Sequence, residues 1–326
     1  MADELAIGID VGGTKIAAGV VDERGRVLAL GRADTPGTAP AAILDTIGDL
    51  VDELRGEHDD SAGEIGALGI GAAGFVDATG STVLFAPHLA WRDEPLRDAA
   101  AERTGLPVVV ENDANSSGWA EWRFGAVQGE PHVVLVTLGT GIGGAIVIDG
   151  KPYRGRFGLA GEFGHMQVVP DGLPCDCGNR GCWEQYASGR VLTRRGRSAA
   201  EEGTALGRRL LDAAGGSVQH IQGSHVTQEA RDGDEEATGW IADVGDWLGV
   251  GLASLAAALD PGAFVVGGGF SDAGELLLAP ARSAFSRTLT GRGHRPEARI
   301  VAAGLGPDAG LIGAADLAKL SARSGS

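Results

Sequence analysis

Residues 5–22, LAIGIDVGGTKIAAGVVD, and residues 132–150, HVVLVTLGTGIGGAIVIDG, share one form: an apolar run, a glycine-rich turn, and a second apolar run. Short apolar runs bounded by glycines read as strands, and the glycine turn joins each pair as a hairpin. The echo is one of form rather than identity. Helical and strand patterns alternate after each hairpin. Apolar residues recur at helical spacing over 40–56; IGALGIGAAGFVD and LPVVVEND read as strands, and ANSSGWAEWRFG as a helix. In the second half, a polar helical region over about 190–236 precedes the long apolar helix of TGWIADVGDWLGVGLASLAAALD and the strand of PGAFVVGGGFS. This alternation predicts an α/β fold built twice. The expected division is a small α/β lobe over 1–112 and a large one over 113–305, with a C-terminal helix near 306–320 packing back on the first. No low-complexity linker separates them, so two lobes around a cleft are expected.

The glycine turns carry candidate chemistry. In DVGGTK, Gly12 and Gly13 let backbone N–H groups approach an anion, Thr14 adds a hydroxyl, and Asp10 at the strand end is placed to hold Mg²⁺. A plain hairpin turn explains the same glycines. GTGIGG at 139–144 fits a dinucleotide fingerprint in letters only, because that motif must open a helix and AIVIDG continues as a strand. It therefore reads as a second phosphate cradle, with Thr140 and Gly141 at its tip. Gly268 and Gly269 end another strand, as a third backbone-approach site or a tight turn. Asn112 and Asp113 end LPVVVEND and begin a helix. Asp113 reads either as a helix cap or as the general base of a phosphoryl transfer.

All three cysteines fall within CDCGNRGC: Cys175, Cys177 and Cys182. Three thiols want a fourth ligand, and His165 is the nearest histidine, giving a Cys₃His structural zinc site. Reactive or inert buried thiols are the alternatives. Glu162 and Glu184 flank this cluster in sequence.

The formal charge of −17 disfavours nucleic acid and anionic lipid as partners, so anionic ligands must be gathered locally by loop amides. No segment is expected to reach the ~20 apolar residues a membrane helix needs, and the N-terminal run is too short and too acidic at its flank for a secretory signal. The odd cysteine count argues against a disulfide scaffold. The expected location is the cytoplasm.

The motifs DVGGTK, ENDAN, GTGIGG, GEFGH, CDCGNRGCWE and LDPGAFVVGGG occur in an order that resembles the ROK family, and within it the bacterial ATP-dependent glucokinases, over about residues 5–318. The resemblance implies an actin-like, RNase-H-type two-lobed fold. ATP with Mg²⁺ would bind through Asp10, Gly12, Gly13, Thr14 and Lys15, through Thr140 and Gly141, and near Gly268 and Gly269. Asp113 would be the base for the 6-hydroxyl of glucose, and Asn112, Glu162, His165 and Glu184 would hold its other hydroxyls. Gly71 and Gly74 would offer backbone contacts to the sugar. His165 would serve both zinc and sugar, one ring nitrogen each. Homodimers or homotetramers are implied as well. Two other readings stay open: a kinase of another hexose or N-acetylmannosamine, and a sugar-sensing regulator, whose DNA-binding segment has no room before residue 10. His88 in FAPHLAW departs from the Asn common at that place in the family.

Overall fold

The structure, a computed structural model, describes residues 4–37, 39–58, 63–87 and 89–324; His88 lies outside the described residues. Its contacts divide into two units, Met1–Pro131 with Ala145–Gly161 and Gly304–Ser326, and His132–Gly144 with Glu162–Ala303. The division read at 112/113 and this grouping differ, because the chain passes without a break from a strand ending at Asn112 into a helix that Asn112 itself caps. The helix over 113–123 is thereby held to the first unit.

In the first unit, β1 (Glu4–Val11), β2 (Lys15–Val21) and β3 (Val27–Asp34) form an antiparallel meander. After α1 (Pro40–Glu57) comes β4 (Glu64–Ala72), parallel to β1. A small antiparallel sheet follows: β5 (Phe75–Val76), β6 (Val83–Phe85) and β7 (Arg92–Glu94). Then come α2 (Leu96–Thr104), β8 (Val108–Asn112), parallel to β4, and α3 (Asp113–Arg123). The main sheet has the order β3-β2-β1-β4-β8.

Alternation along β1 decides its two faces. Leu5, Ile7, Ile9 and Val11 join Ile43, Ile47, Val51 and Leu54 of α1 in one core. Ala6 of β1 and Ala67 of β4 face the other way, onto Leu311, Ile312 and Ala315 of the C-terminal helix Ala309–Ser324. On that face the helix backbone touches the sheet. A Cβ on Gly8 would lie 1.8 Å from the Leu311 carbonyl oxygen, and one on Gly69 would lie 1.9 Å from that of Ala314. We expect Gly69→Ala to lower stability by about 1–3 kcal/mol through overpacking. Urea unfolding of ligand-free protein checks this, and an unchanged midpoint would contradict the close approach.

The second unit begins with β9 (Val133–Leu138) and the start of β10 (Ile142–Ile148), whose end groups with the first unit along with β11 (Lys151–Pro152). It continues with α4 (Glu184–Ala187), α5 (Gly189–Glu202), α6 (Ala205–Ala213), α7 (Gly223–Arg231), α8 (Glu235–Leu259), β12 (Ala263–Gly267), α9 (Glu275–Thr288) and β13 (Arg299–Ala302). The sheet order is β11-β10-β9-β12-β13, with β12 parallel to both β9 and β13. The residues after GTGIGG form a strand, so the motif is a hairpin and not the opening of a helix. The helix from Ala309, α10, returns to the first unit.

One expectation is corrected. α8 is long and apolar enough to meet the length and composition of a membrane span, although no uninterrupted apolar run shows it, because Asp243 and Asp246 break the run. Just over half of that stretch is buried. Gly245 and Gly249 bring it against the backbone of α9 at Leu277 and Ala281. α8 is a core helix of the second unit.

Candidate active site

Three parallel strands of the first unit end together. The pairing sets Asp10 beside Gly71 and Gly71 beside Glu111, and one step on it sets Val11, Ala72 and Asn112 in a row. Open α/β sheets collect ligands at this carboxyl edge. Asp10, Gly71, Asn112 and Asp113 are therefore brought to one place.

Asn112 caps α3: its Oδ1 accepts from Asn115 N at 3.0 Å. Its Nδ2 donates to Asp113 Oδ1 at 3.0 Å and to the Gly74 carbonyl at 3.0 Å. Asp113 Oδ1 also accepts from Ala114 N at 2.9 Å. Both donors bind the same oxygen, and Oδ2 receives neither. Asn112 is thus spent largely on orienting Asp113 and on the loop at Gly74. Burial pushes the Asp113 carboxyl above its ordinary range, against the pull of the Ala114 amide and the Asn112 side chain. Burial, and secondly the charge of Asp113, pushes Asp10 up to about 7. Between them they form an acid pair with raised affinity for protons or for a cation.

The sign for stability follows from linkage. Asp10 binds its proton more tightly folded than unfolded, so stability falls as pH rises from its unfolded value of 3.8 through about 7. A shift of this size has an upper limit of about 4 kcal/mol. Asp10→Asn should therefore raise the Tm of the ligand-free protein, and more at pH 8 than at pH 5. Calorimetry at both pH values tests it; an equal change at both would show that Asp10 is not titrating.

The hairpin of Gly12, Gly13, Thr14 and Lys15 joins β1 to β2. Gly13, Thr14 and Lys15 are exposed. The turn is fixed by Gly12 N donating to the Lys15 carbonyl at 3.0 Å, and by Thr35, whose hydroxyl donates to the Gly12 carbonyl at 2.7 Å and whose amide donates to that of Thr14.

In the second unit, the ligand atoms of His165, Cys175, Cys177 and Cys182 all lie within 4.8 Å of one another. Cys177 Sγ and Cys182 Sγ are 3.6 Å apart, and Cys175 Sγ is 3.7 Å from His165 Nδ1. A tetrahedral zinc with Zn–S bonds near 2.3 Å requires S–S edges of about 3.8 Å. The sulfurs stand too far apart for a disulfide, and all three cysteines are free. Burial and the neighbouring thiols push Cys182 up to about 12, and a bound cation would favour its thiolate. The donor set fits zinc.

The loop geometry follows from GNRG. Gly178 N donates to the Cys175 carbonyl and Gly181 N to that of Leu173. Gly181 has φ +77°, and a Cβ there would lie 1.7 Å from the Val169 carbonyl oxygen.

Glu184 opens α4 directly after this loop, buried, with Oε1 accepting from Cys175 Sγ at 3.2 Å. A Cβ on Gly141 would stand 2.6 Å from Glu184 Oε2, so the second glycine hairpin and Glu184 are neighbours. Ser188 and Gly189 hold that hairpin by donating to the Thr140 and Gly139 carbonyls. Glu162 precedes the short turn Phe163–His165, and its carbonyl accepts from His165 N at 3.2 Å. Gly268 and Gly269 are exposed at the end of β12. His165, Glu184, Thr140 and Gly141 thus form one neighbourhood of the second unit.

Sequence reading missed Glu111 and Arg154. Glu111 is 3% exposed and paired with Arg154. Its only signal is an acidic residue at the end of an apolar strand.

The chain matches the model of the ROK family over residues 6–321. It is 50% identical over 315 residues to the glucokinase of Streptomyces coelicolor, covering 97% of this chain and 98% of that protein. The crystal structure of a ROK family glucokinase from Streptomyces griseus in complex with glucose and AMPPNP is similar at 53% identity and TM-score 0.88, over 97% of this chain and 99% of that one. A ROK family transcriptional regulator, a homolog of the E. coli MLC protein, is similar at 25% identity and TM-score 0.83, over 95% of this chain and 76% of the regulator.

Proposed function

The chain belongs to the ROK family, and from that premise we propose that it is an ATP-dependent glucokinase that forms glucose 6-phosphate and ADP. The observation that carries this reading is Asp113 at the carboxyl edge of the first sheet, with one oxygen held by Asn112 and Ala114 and Asp10 nearby. Asp113 takes the proton of the sugar 6-hydroxyl as that oxygen attacks the γ-phosphorus, and ADP leaves. Asn112 keeps the carboxylate oriented. The amides of Gly12, Gly13 and Thr14, with Lys15, and those of Thr140 and Gly141, receive phosphate oxygens; Gly268 and Gly269 lie against the nucleoside. Asp10 would hold the Mg²⁺ that travels with ATP, and that ion would supply charge neutralisation at the phosphates.

His165, Cys175, Cys177 and Cys182 would hold a structural zinc. His165 Nδ1 lies 3.7 Å from Cys175 Sγ, so Nδ1 would be the metal ligand and Nε2 would remain for a sugar hydroxyl. Glu162 and Glu184 accept from other hydroxyls, and Gly71 and Gly74 bound the sugar with backbone. A reducing cytoplasm suits three free cysteines on one metal. Self-association into dimers or tetramers belongs to the same reading, and light scattering measures it.

The relatives at high identity favour glucose over other sugars. A coupled ADP-release assay across glucose, mannose, fructose, allose and N-acetylmannosamine tests this. Highest kcat/KM on glucose is expected; preference for an N-acetylated sugar would overturn the choice of substrate, and no turnover on any hexose would leave the sugar-sensing alternative.

A further inference from the structure

Glu111 and Arg154 have no part in the mechanism above, and we propose that their ion pair is the positioning device of the catalytic carboxylate. The inference rests on Asp113 being the base. Glu111 is 3% exposed. Its Oε1 accepts from Asn112 N at 2.9 Å and from Asn115 Nδ2 at 3.1 Å. Its Oε2 accepts from Nε of Arg154 and pairs with Nη2. Both carboxylate oxygens are thus doubly engaged, Oε1 by the two asparagines and Oε2 by two nitrogens of one guanidinium.

A buried pair of this kind adds little net stability over apolar residues of the same volume, so its value lies in geometry. The bonds made by Oε1 show which geometry. They hold the peptide N–H of Asn112 and the side chain of Asn115, and Asn112 in turn holds Asp113 Oδ1. A shift of Glu111 is handed to Asp113 through two hydrogen bonds.

Among the described residues, the Arg154 guanidinium is paired with Glu111. Its side chain is 34% exposed and lines a recess of about 210 Å³ with Thr79, Arg97 and Val108–Val110. Its carbonyl accepts from Ala160 N at 3.0 Å, which closes the 154–160 segment into a loop. Glu111 therefore fixes the guanidinium, and the guanidinium fixes Glu111. The pair joins the β8–α3 junction that bears the base to the 154–160 segment.

The test uses full-length, metal-loaded protein. A misplacement of about 1 Å at a reacting group costs on the order of 100-fold in rate. Arg154→Met should lower kcat by about 30- to 100-fold while KM for glucose changes by less than about threefold. Arg154→Lys, which keeps the charge without the fork, should recover at least about tenfold of that loss. Amide exchange at Asn112 and Asn115 should rise at least about tenfold in Arg154→Met, with β1 unchanged. Retention of kcat within threefold, a loss carried by KM, a Lys variant no better than Met, or unchanged exchange would each overturn the proposal. Wild-type turnover in the same assay separates the two claims. Were the wild type inactive, the kinase reading would fail, and the exchange arm alone would still decide whether the pair holds the β8–α3 junction.

Discussion

Asp113→Asn should lower kcat for glucose by about 10²–10⁴-fold, the range of a lost general base, with KM for glucose changed by less than about threefold. The asparagine keeps an oxygen to accept from Asn112 and Ala114, so the loop and the cap of α3 stay in place. Only the ability to take a proton goes. The same group governs the acid side of the pH profile. Asp113 works ionised, and burial holds its carboxyl above the ordinary range. The kcat/KM of the wild type should therefore fall as pH drops, with a midpoint above that of an exposed aspartate. The residual activity of Asp113→Asn should be flat over the same window. A loss of less than about tenfold would leave Asp113 as an acidic residue of the first turn of α3 and no more.

Removing the metal should separate the two ligands. Cys182→Ser takes a fully buried sulfur from the set, and dialysis against a chelator empties the set without mutation. Either change frees His165 and the loop that delivers Glu184. Two hydrogen bonds to charged or metal-polarised groups are worth about 1.5–3 kcal/mol each, so glucose affinity should fall at least about 100-fold. Nucleotide affinity should fall far less, by under about tenfold, because the Gly12–Lys15 hairpin hangs on Thr35 and contacts of the first unit, and only the Thr140–Gly141 hairpin abuts Glu184. Calorimetric titration of each ligand, with metal content measured alongside, checks the pair of outcomes. Unchanged glucose affinity in metal-free protein would contradict a sugar pocket built on the zinc loop.

Much of this was legible in the amino acids because it is local. Glycine turns between apolar runs give the hairpins. Three thiols within eight positions give most of the cluster that could hold a metal, and its histidine, His165, lies only ten residues upstream of the first cysteine. Asn112 announces the start of α3 because a capping side chain must sit where the helix begins. What escaped is long-range. Arg154 and Glu111 lie 43 residues apart, and no periodicity links them. The contact of α10 with the sheet hides behind Gly8 and Gly69, which read in sequence only as weak strand formers. The division at 112/113 differs from the contact grouping for a related reason. A strand and the helix after it look like a natural border, yet their junction is pinned by Asn112 on both sides.

The most direct measurement gives purified protein ATP, Mg²⁺ and either glucose or 6-deoxyglucose, and follows ADP and sugar phosphate together. With glucose, ADP and glucose 6-phosphate should form in equal amounts; with 6-deoxyglucose, which lacks the attacking hydroxyl, neither should form. ADP release without sugar phosphate, or equal release with both sugars, would contradict phosphoryl transfer to the 6-hydroxyl.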